Sequence, residues 1–166
     1  MTDTVILGGG KTGRGFIGRL LFESGVPFAI IDKNRDLVNA LNQKGHYSIK
    51  FFSPRPSITI NEFEAFEPYS PEALEVVRSA QNIFISVGTD NLEAASRYLL
   101  LNCAKLKNII ICETANNPVS VVREVFKKSQ TNNSINIVET AILCTTLNAD
   151  DDTFDIFSEE YHKLPY

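Results

Sequence analysis

The sequence predicts an α/β fold organised around a doubly wound parallel sheet. Short apolar runs alternate with helical patterns along the chain, as they do in domains of this class. Several runs, including residues 83–87 and 108–112, are apolar almost without interruption. Such strands are typical of parallel sheets that helices cover on both faces. The 166 residues suffice for one domain of this kind with a small appendage.

The composition is that of an ordinary globular chain and narrows the classes of partner. Hydrophobic residues make up 43% and charged residues 22%, and the net charge is -4. This acidic balance gives no support to binding of nucleic acid or of an anionic membrane surface. No apolar run approaches the ~18 residues of a membrane span. The three cysteines lack metal-ligand spacing and no signal-like segment precedes the first apolar run, so we expect reduced thiols, a cytoplasmic location and no metal.

A glycine motif, G-x-G-x-x-G, follows the first apolar run and opens the first helical pattern. Gly8 permits a tight turn, Gly10 lets the backbone approach a pyrophosphate, and Gly13 lets the helix press against the strand. The first helical turn adds unpaired N–H groups that favour phosphate. The predicted phosphate-binding residues are Gly8, Gly9, Gly10, Lys11, Thr12, Gly13 and Arg14. Lys11 and Arg14 could pair with the pyrophosphate or with a substrate phosphate, or could form only a solvated basic edge.

The second apolar run, residues 28–31, ends in Asp32, which follows Gly13 by 19 residues. A carboxylate about 20 residues after the motif binds the ribose hydroxyls of an adenosine and repels a 2′-phosphate. Strand, turn, helix, strand and acid together fill about 30 residues, the size of one βαβ unit. These features predict a Rossmann-type dinucleotide site for NAD. Lys33 and Arg35 could offset the repulsion, so NADP is the alternative.

The first helix is expected to run from Gly13 to Ser24 and to stop at Gly25. It contains Gly15 and Gly18, each of which lowers helix stability by about 1 kcal/mol relative to alanine. A helix keeps such residues where another group must come close, and the candidates are the neighbouring strand and the cofactor or substrate. The alternative is simply a helix of low intrinsic stability. Further helix starts are expected at Asn34 or Asp36, at Ser70-Pro71, at a capping box of Asp90 and Glu93, and at Asn117-Pro118.

Residues 47–62 interrupt the α/β alternation with two runs of alternating apolar residues around a Ser-Pro-Arg-Pro-Ser segment. This pattern predicts an inserted β-hairpin. Strands of the main sheet are then expected at 63–66 and 135–138, and a short strand at 154–157. A polar loop at 129–134 and a turn at 150–152 complete the pattern.

Ligands of doubly wound sheets bind where the carboxyl ends of the strands meet. This rule adds to the predicted site residues at the end of the apolar run at 83–87 and just after the runs at 83–87 and 108–112. They are Val87, Gly88, Glu113 and Asn116.

The segment Gly13–Gly18, G-R-G-F-I-G, goes beyond a generic glycine motif. With S-V-G at 86–88, I-I-C-E at 110–113 and D-I-F-S-E at 155–159, it resembles the mannitol dehydrogenase family over nearly the whole chain. The resemblance implies reversible, metal-free hydride transfer between a nicotinamide cofactor and a polyol or its phosphate. It favours Arg14 over Lys11 as the phosphate contact.

The resemblance also implies a second, helical domain that supplies a lysine as general acid and base in a K-x-x-x-x-N-x-x-H pattern. The present sequence contains no such pattern. We therefore expect residues 1–145 to form the dinucleotide-binding domain and residues 146–166 to begin the connection to a catalytic domain absent from this chain. Such a chain is expected to bind dinucleotide without turnover, and to meet a polyol phosphate only together with the missing domain.

One position departs from the family pattern, which has asparagine directly after the acid. Here Thr114 follows Glu113, and asparagines come at 116 and 117. The family asparagine holds a substrate oxygen on which negative charge develops. Asn116 could serve after a local shift, Thr114 could contribute a hydroxyl, or both amides could only cap the helix at Pro118.

Three functions fit these observations. The first is the nicotinamide-binding domain of a polyol-phosphate dehydrogenase, and the second is the same domain of a related uronate (tagaturonate-type) reductase. The third is a free-standing NAD-binding module with a regulatory role.

Overall fold

The computed structural model describes residues 2–114, 116–127, 135–149 and 154–165 of the chain. The strands are β1 (Thr4–Leu7), β2 (Phe28–Ile31), β3 (Tyr47–Phe51), β4 (Ile58–Ile60), β5 (Phe63–Phe66), β6 (Asn82–Ile85), β7 (Asn108–Ile111), β8 (Asn136–Glu139), β9 (Thr146–Asn148) and β10 (Ile156–Ser158). Six of them form one parallel sheet in the order β5-β2-β1-β6-β7-β8. The strand order reverses between β1 and β6, so the predicted doubly wound sheet is confirmed.

Helices cover both faces of this six-stranded sheet. They are α1 (Arg19–Glu23), α2 (Arg35–Lys44), α3 (Pro71–Ser79), α4 (Leu92–Asn102) and α5 (Pro118–Lys127). Successive strand residues point to opposite faces, so Val5 joins the apolar core beneath α3, α4 and α5, and Ile6 joins the core beneath α1 and α2.

The predicted first helix is present in two parts. Its first six residues, Gly13–Gly18, wind as a π-helix, and α1 continues from them. The chain leaves the helix through Gly25, whose φ is 66°. The Asn34 side chain accepts a hydrogen bond from the Leu37 N–H (3.1 Å) at the start of α2, so Asn34, and not Asp36, is the cap of the two that the sequence offers.

The capping box predicted at Asp90 and Glu93 is wrong. A 3-10 turn, Thr89–Asn91, precedes α4, which begins only at Leu92. Glu93 is therefore the second helical residue, whereas a capping box needs its acid at the third. It pairs instead with Arg97, one turn further along α4 (2.7 Å).

The predicted hairpin is present as β3 and β4, but it belongs to a second sheet with the order β4-β3-β10-β9. In this sheet β10 pairs in parallel with β3, with Ile156 opposite Ile49. The strand expected at 154–157 begins two residues later, and residues 146–148 and 156–158 share a sheet with the hairpin. The predicted domain boundary at 145 remains a prediction.

Two expectations, the loop at 129–134 and the turn at 150–152, lie outside the described residues. Within the described ranges, no helix is both long enough and apolar enough to cross a membrane. The three cysteines are free thiols.

Candidate functional site

A cleft of about 590 Å³ opens where the carboxyl ends of β1, β2, β6 and β7 meet. This volume falls within the range of small-molecule sites. Nine residues of the predicted site line it: Gly8, Gly10, Lys11, Thr12, Asp32, Val87, Gly88, Glu113 and Thr114. Four others lie off its wall: Gly9, Gly13, Arg14 and Asn116.

Two glycines of the motif stand where no side chain fits. A Cβ at Gly8 would lie 1.9 Å from the Ser86 carbonyl oxygen, and the φ of Gly8, 103°, is one that side chains rarely adopt. A Cβ at Gly13 would lie 2.0 Å from the carbonyl oxygen of Gly8. Cβ atoms do not approach backbone oxygens this closely. Both glycines are therefore required, because the turn that follows β1 is packed tightly between the end of β6 and the helix.

Gly10 differs from the other two glycines. No heavy atom lies within 4 Å of the position of a Cβ at Gly10, and the residue is exposed in the cleft. A side chain here would therefore meet open space and would displace no protein atom. This is the position at which the sequence predicts close approach of a pyrophosphate.

Asp32 stands in the cleft wall with its carboxylate held at both oxygens. Oδ2 accepts a hydrogen bond from the Gly9 N–H (2.6 Å), and Oδ1 accepts one from the Asn34 N–H (2.7 Å). Gly9, although off the wall, thus fixes the acid that the sequence assigned to the ribose. Each carboxylate oxygen keeps a further lone pair for a hydroxyl donor.

The two cations beside Asp32 are engaged elsewhere. The Lys33 ammonium donates to the Asn91 side-chain oxygen (3.0 Å), which joins two loops at the edge of the cleft. Arg35 pairs with Glu67 at the surface (3.0 Å). Glu67 offsets the charge of Arg35, whereas Lys33 is bonded to a neutral amide and stays a cation in the cleft wall beside Asp32.

Glu113 joins the ends of β6 and β7. Its Oε1 accepts a hydrogen bond from the Gly88 N–H (2.7 Å). Burial raises the pKa of Glu113 above its usual value, against the opposing effect of its bonds from the Gly88 and Val87 backbone. Thr114 follows it into the cleft wall, whereas Asn116 is exposed and off the wall.

Arg14 does not face the cleft. Its side chain is 4% exposed; Nε donates to the Gly9 carbonyl (2.6 Å), and the other branch of the guanidinium donates to the Phe154 carbonyl. Burial lowers the pKa of Arg14, partly offset by the nearby Tyr47, Asp32 and Asp155. These N–H groups point at protein carbonyls, and the phosphate contact of Arg14 stays a prediction. Lys11, by contrast, is exposed in the cleft wall.

Sequence reasoning missed two tyrosines in the cleft wall. The rings of Tyr69 and Tyr98 meet edge to face, with centroids 5.4 Å apart and planes at 89°. The Tyr98 hydroxyl donates to the Pro68 carbonyl, which fixes the inner ring, and Tyr69 is 76% exposed. Together they offer an aromatic surface suited to a flat base. The only sequence signal was the position of Tyr98 within the helix expected to begin at Asp90.

Within the described residues, no group of three or more His, Cys, Asp or Glu side chains is arranged to hold a metal ion. Cys112 lies in the cleft wall, and burial raises the pKa of its thiol to about 11. The Thr140 hydroxyl lies 3.6 Å from its sulfur.

The fold and the cleft define the chain as a Rossmann-type nucleotide-binding domain. Residues 2–154 match the family model described as the mannitol dehydrogenase Rossmann domain, and the chain belongs to this family. Its curated relatives are oxidoreductases. It is 30% identical over 128 residues to mannitol-1-phosphate 5-dehydrogenase of Buchnera aphidicola subsp. Schizaphis graminum (strain Sg), which covers 71% of this chain and 33% of that protein. It is 27% identical over 158 residues to the enzyme of the same name from Mycoplasmopsis pulmonis (strain UAB CTIP), covering 95% and 43%. The chain thus spans well under half the length of these relatives.

Solved structures agree on the fold. Apo yersinopine dehydrogenase superposes with a TM-score of 0.74 at 12% identity, covering 96% of this chain and 38% of that one. The NADP⁺-bound form of that enzyme gives a TM-score of 0.70 at 11% identity, covering 96% and 39%. Octopine dehydrogenase with NADH and L-arginine gives 0.70 at 8% identity, covering 95% and 39%. At these identities the likeness concerns the fold alone.

Proposed function

We propose that the chain binds NAD(H) in the cleft and that, within a longer enzyme, it presents the nicotinamide for hydride transfer with a polyol or its phosphate. One observation carries the proposal: the Asp32 carboxylate, held by the Gly9 N–H at 2.6 Å, stands in the cleft wall beside the open Gly10. A backbone free of side chain for the pyrophosphate and an acid for the ribose are the two elements of dinucleotide recognition. The curated relatives supply the substrate class, since they are named for mannitol 1-phosphate.

The preference for NAD over NADP rests on charge. The 2′-phosphate of NADP would lie beside the Asp32 carboxylate, and the two negative charges would repel each other. Lys33 is held by Asn91, and Arg35 is paired with Glu67, so neither cation neutralises Asp32 directly. The solved neighbours include one protein with NADP⁺ and another with NADH, so the choice depends on this chain's own acid.

Around the reacting carbon, this chain supplies positioning groups. Glu113 holds the Gly88 N–H, which fixes the loop after β6, and Thr114 places a hydroxyl-bearing side chain in the cleft wall. We assign Thr114, rather than Asn116, to the substrate oxygen, because Asn116 lies off the wall. The proton that leaves the substrate hydroxyl needs a base from outside this chain, in keeping with the family's lysine. The 166-residue chain should therefore bind cofactor without turnover.

The test is calorimetric titration of the chain with NADH and with NADPH. We expect NADH to bind at least ~10-fold more tightly, since one charge repulsion of about 1.4 kcal/mol corresponds to that ratio. Asp32→Asn should weaken NADH binding and abolish the discrimination. Asp36→Asn is the matched control, because Asp36 is exposed on the first turn of α2 and off the cleft wall. Equal affinity of the unaltered chain for both nucleotides would contradict the role of Asp32.

The absence of turnover is tested separately, by following NADH absorbance with mannitol 1-phosphate and NAD⁺. Measurable oxidation by the 166-residue chain would show that the base lies within it.

A further inference from the structure

The second half of the glycine-rich signature packs against the second sheet and not against the cleft. A Cβ at Gly15 would lie 2.4 Å from the Ile156 side chain, and one at Gly18 would lie 2.6 Å from the Tyr47 hydroxyl. Strands β10 and β3 therefore rest directly on the π-helical segment. All six residues of that segment are buried, because the main sheet covers one side and the second sheet covers the other.

Arg14, in the middle of this contact, touches both structures at once. Its Nε donates to the Gly9 carbonyl in the glycine turn (2.6 Å). The same guanidinium donates to the carbonyl of Phe154, 140 residues further along the chain. The rings of Tyr47 and Phe154 flank it at 5.7 and 5.9 Å, and the Tyr47 hydroxyl donates to the Arg14 carbonyl (3.2 Å). Arg14 is thus a bridge between the turn and the segment that leads into β10.

The bond to Gly9 has a geometric effect on the next residue. Gly9 is held at both ends, since its N–H donates to Asp32 and its carbonyl accepts from Arg14. In a planar trans peptide the C=O and the following N–H point in opposite directions. Drawing the Gly9 carbonyl towards Arg14 therefore directs the Gly10 N–H away from Arg14. Gly10 is the residue of the turn that stands open in the cleft.

We infer that Arg14 is a positioning residue for the dinucleotide: it fixes the Gly9–Gly10 peptide so that the Gly10 N–H faces the pyrophosphate, and it ties this arrangement to the segment leading into β10. The inference rests on the proposed function, which supplies the ligand. It replaces the phosphate contact predicted for Arg14 with an indirect role. Disturbing the Phe154 end of the second sheet should then change cofactor affinity without touching the cleft.

The test compares Arg14→Lys with a matched control on the same helix. Arg19 is also fully buried and also donates to downstream carbonyls, those of Glu159 (3.3 Å) and Tyr161 (2.5 Å), but its bonds do not reach the glycine turn. Two quantities are measured: the NADH dissociation constant, and the ¹H–¹⁵N position of the Gly10 amide without ligand. We expect Arg14→Lys to weaken NADH binding ~10-fold and to move the Gly10 amide, because a lysine cannot make both bonds. Arg19→Lys should lower the melting temperature while leaving both quantities unchanged.

Each outcome decides the inference. If Arg14→Lys weakens NADH binding and leaves the ligand-free Gly10 amide unmoved, Arg14 contacts phosphate directly and the positioning role is refuted. Unchanged affinity would refute it as well. Failure of the unaltered chain to bind NADH would overturn the proposed function, and the Gly10 amide would still report whether Arg14 sets the turn.

A second variant covers the case in which Arg14→Lys does not fold. Tyr47→Phe keeps the ring and removes only the hydroxyl that donates to the Arg14 carbonyl. Tyr47→Phe should change the NADH dissociation constant and the position of the Gly10 amide in the same direction as Arg14→Lys, but by a smaller amount. No change in either would overturn the inference.

Discussion

Two alanine substitutions in the same glycine motif, Gly13→Ala and Gly10→Ala, are expected to have opposite effects on the stability of the fold. At Gly13 a Cβ would lie 2.0 Å from the Gly8 carbonyl oxygen, and backbone contacts of this kind are not found below about 3 Å. The helix or the turn must therefore move by about 1 Å, within a segment whose six residues are all buried. Overpacking of this kind costs about 3 kcal/mol, which outweighs the gain of about 1 kcal/mol from helix propensity.

At Gly10 the same methyl group meets nothing within 4 Å. Its φ lies outside the left-handed range, so alanine fits the backbone, and the smaller entropy of the unfolded chain should stabilise the fold by about 0.4–1 kcal/mol. If NADH binds as proposed, however, the methyl group would obstruct the close approach of the pyrophosphate to the Gly10 backbone. Gly10→Ala should therefore fold normally and lose NADH binding.

The assay is urea unfolding and thermal unfolding, together with NADH titration, of both variants. A net loss of about 2 kcal/mol in Gly13→Ala corresponds to a fall in melting temperature of about 4–8 °C for a domain of this size. The reasoning is refuted if Gly13→Ala is as stable as the unaltered chain, since the helix would then be free to retreat from the turn. It is equally refuted if Gly10→Ala binds NADH normally.

Two further predictions concern titratable groups whose pKa is raised by burial. Burial raises the pKa of Cys103 and of Cys112 to about 11, so their alkylation at pH 8 should be about 100-fold slower than that of a free thiol, as measured by mass spectrometry. A rate that levels off near pH 9 would contradict this. The pKa of Glu113 is raised by burial, so ionisation favours the unfolded chain and stability is lost as pH rises through that group's ordinary range. Glu113→Gln, whose amide oxygen can still accept from Gly88, should gain melting temperature relative to the unaltered chain between pH 4 and pH 7. A difference in melting temperature between the two proteins that does not change with pH would contradict this prediction.

The glycine turn and the position of Asp32 at the end of β2 could be predicted from local features of the sequence. Gly13 packs against Gly8, five residues earlier, and the acid follows a strand whose apolar pattern is complete in four residues. The contact of Gly8 with Ser86 is distant in the chain, but the tight turn that requires a glycine at this position is local. The same holds for α2, where Asn34 and Gly45 mark both ends within the sequence itself. Such signals need no knowledge of the rest of the chain.

The position of Arg14 could not be predicted, because it depends on a distant strand. Its residue type favours phosphate, and its place after Gly13 puts it near the turn. The second sheet, however, covers that side of the helix, and no local pattern announces that β10 pairs with β3. The tyrosines of the cleft wall were missed for a similar reason, since Tyr69 and Tyr98 meet only after α4 has packed.

The second sheet also has a consequence for synthesis on the ribosome. The Ser48 N–H in β3 donates to the Asp155 side chain, 107 residues later (2.9 Å). At translation speeds of about 5–20 residues per second, the nascent hairpin waits about 5–20 s for this neighbour. Throughout that interval one edge of β3 is unpaired, and an unpaired edge is the kind of surface to which chaperones and other chains adhere.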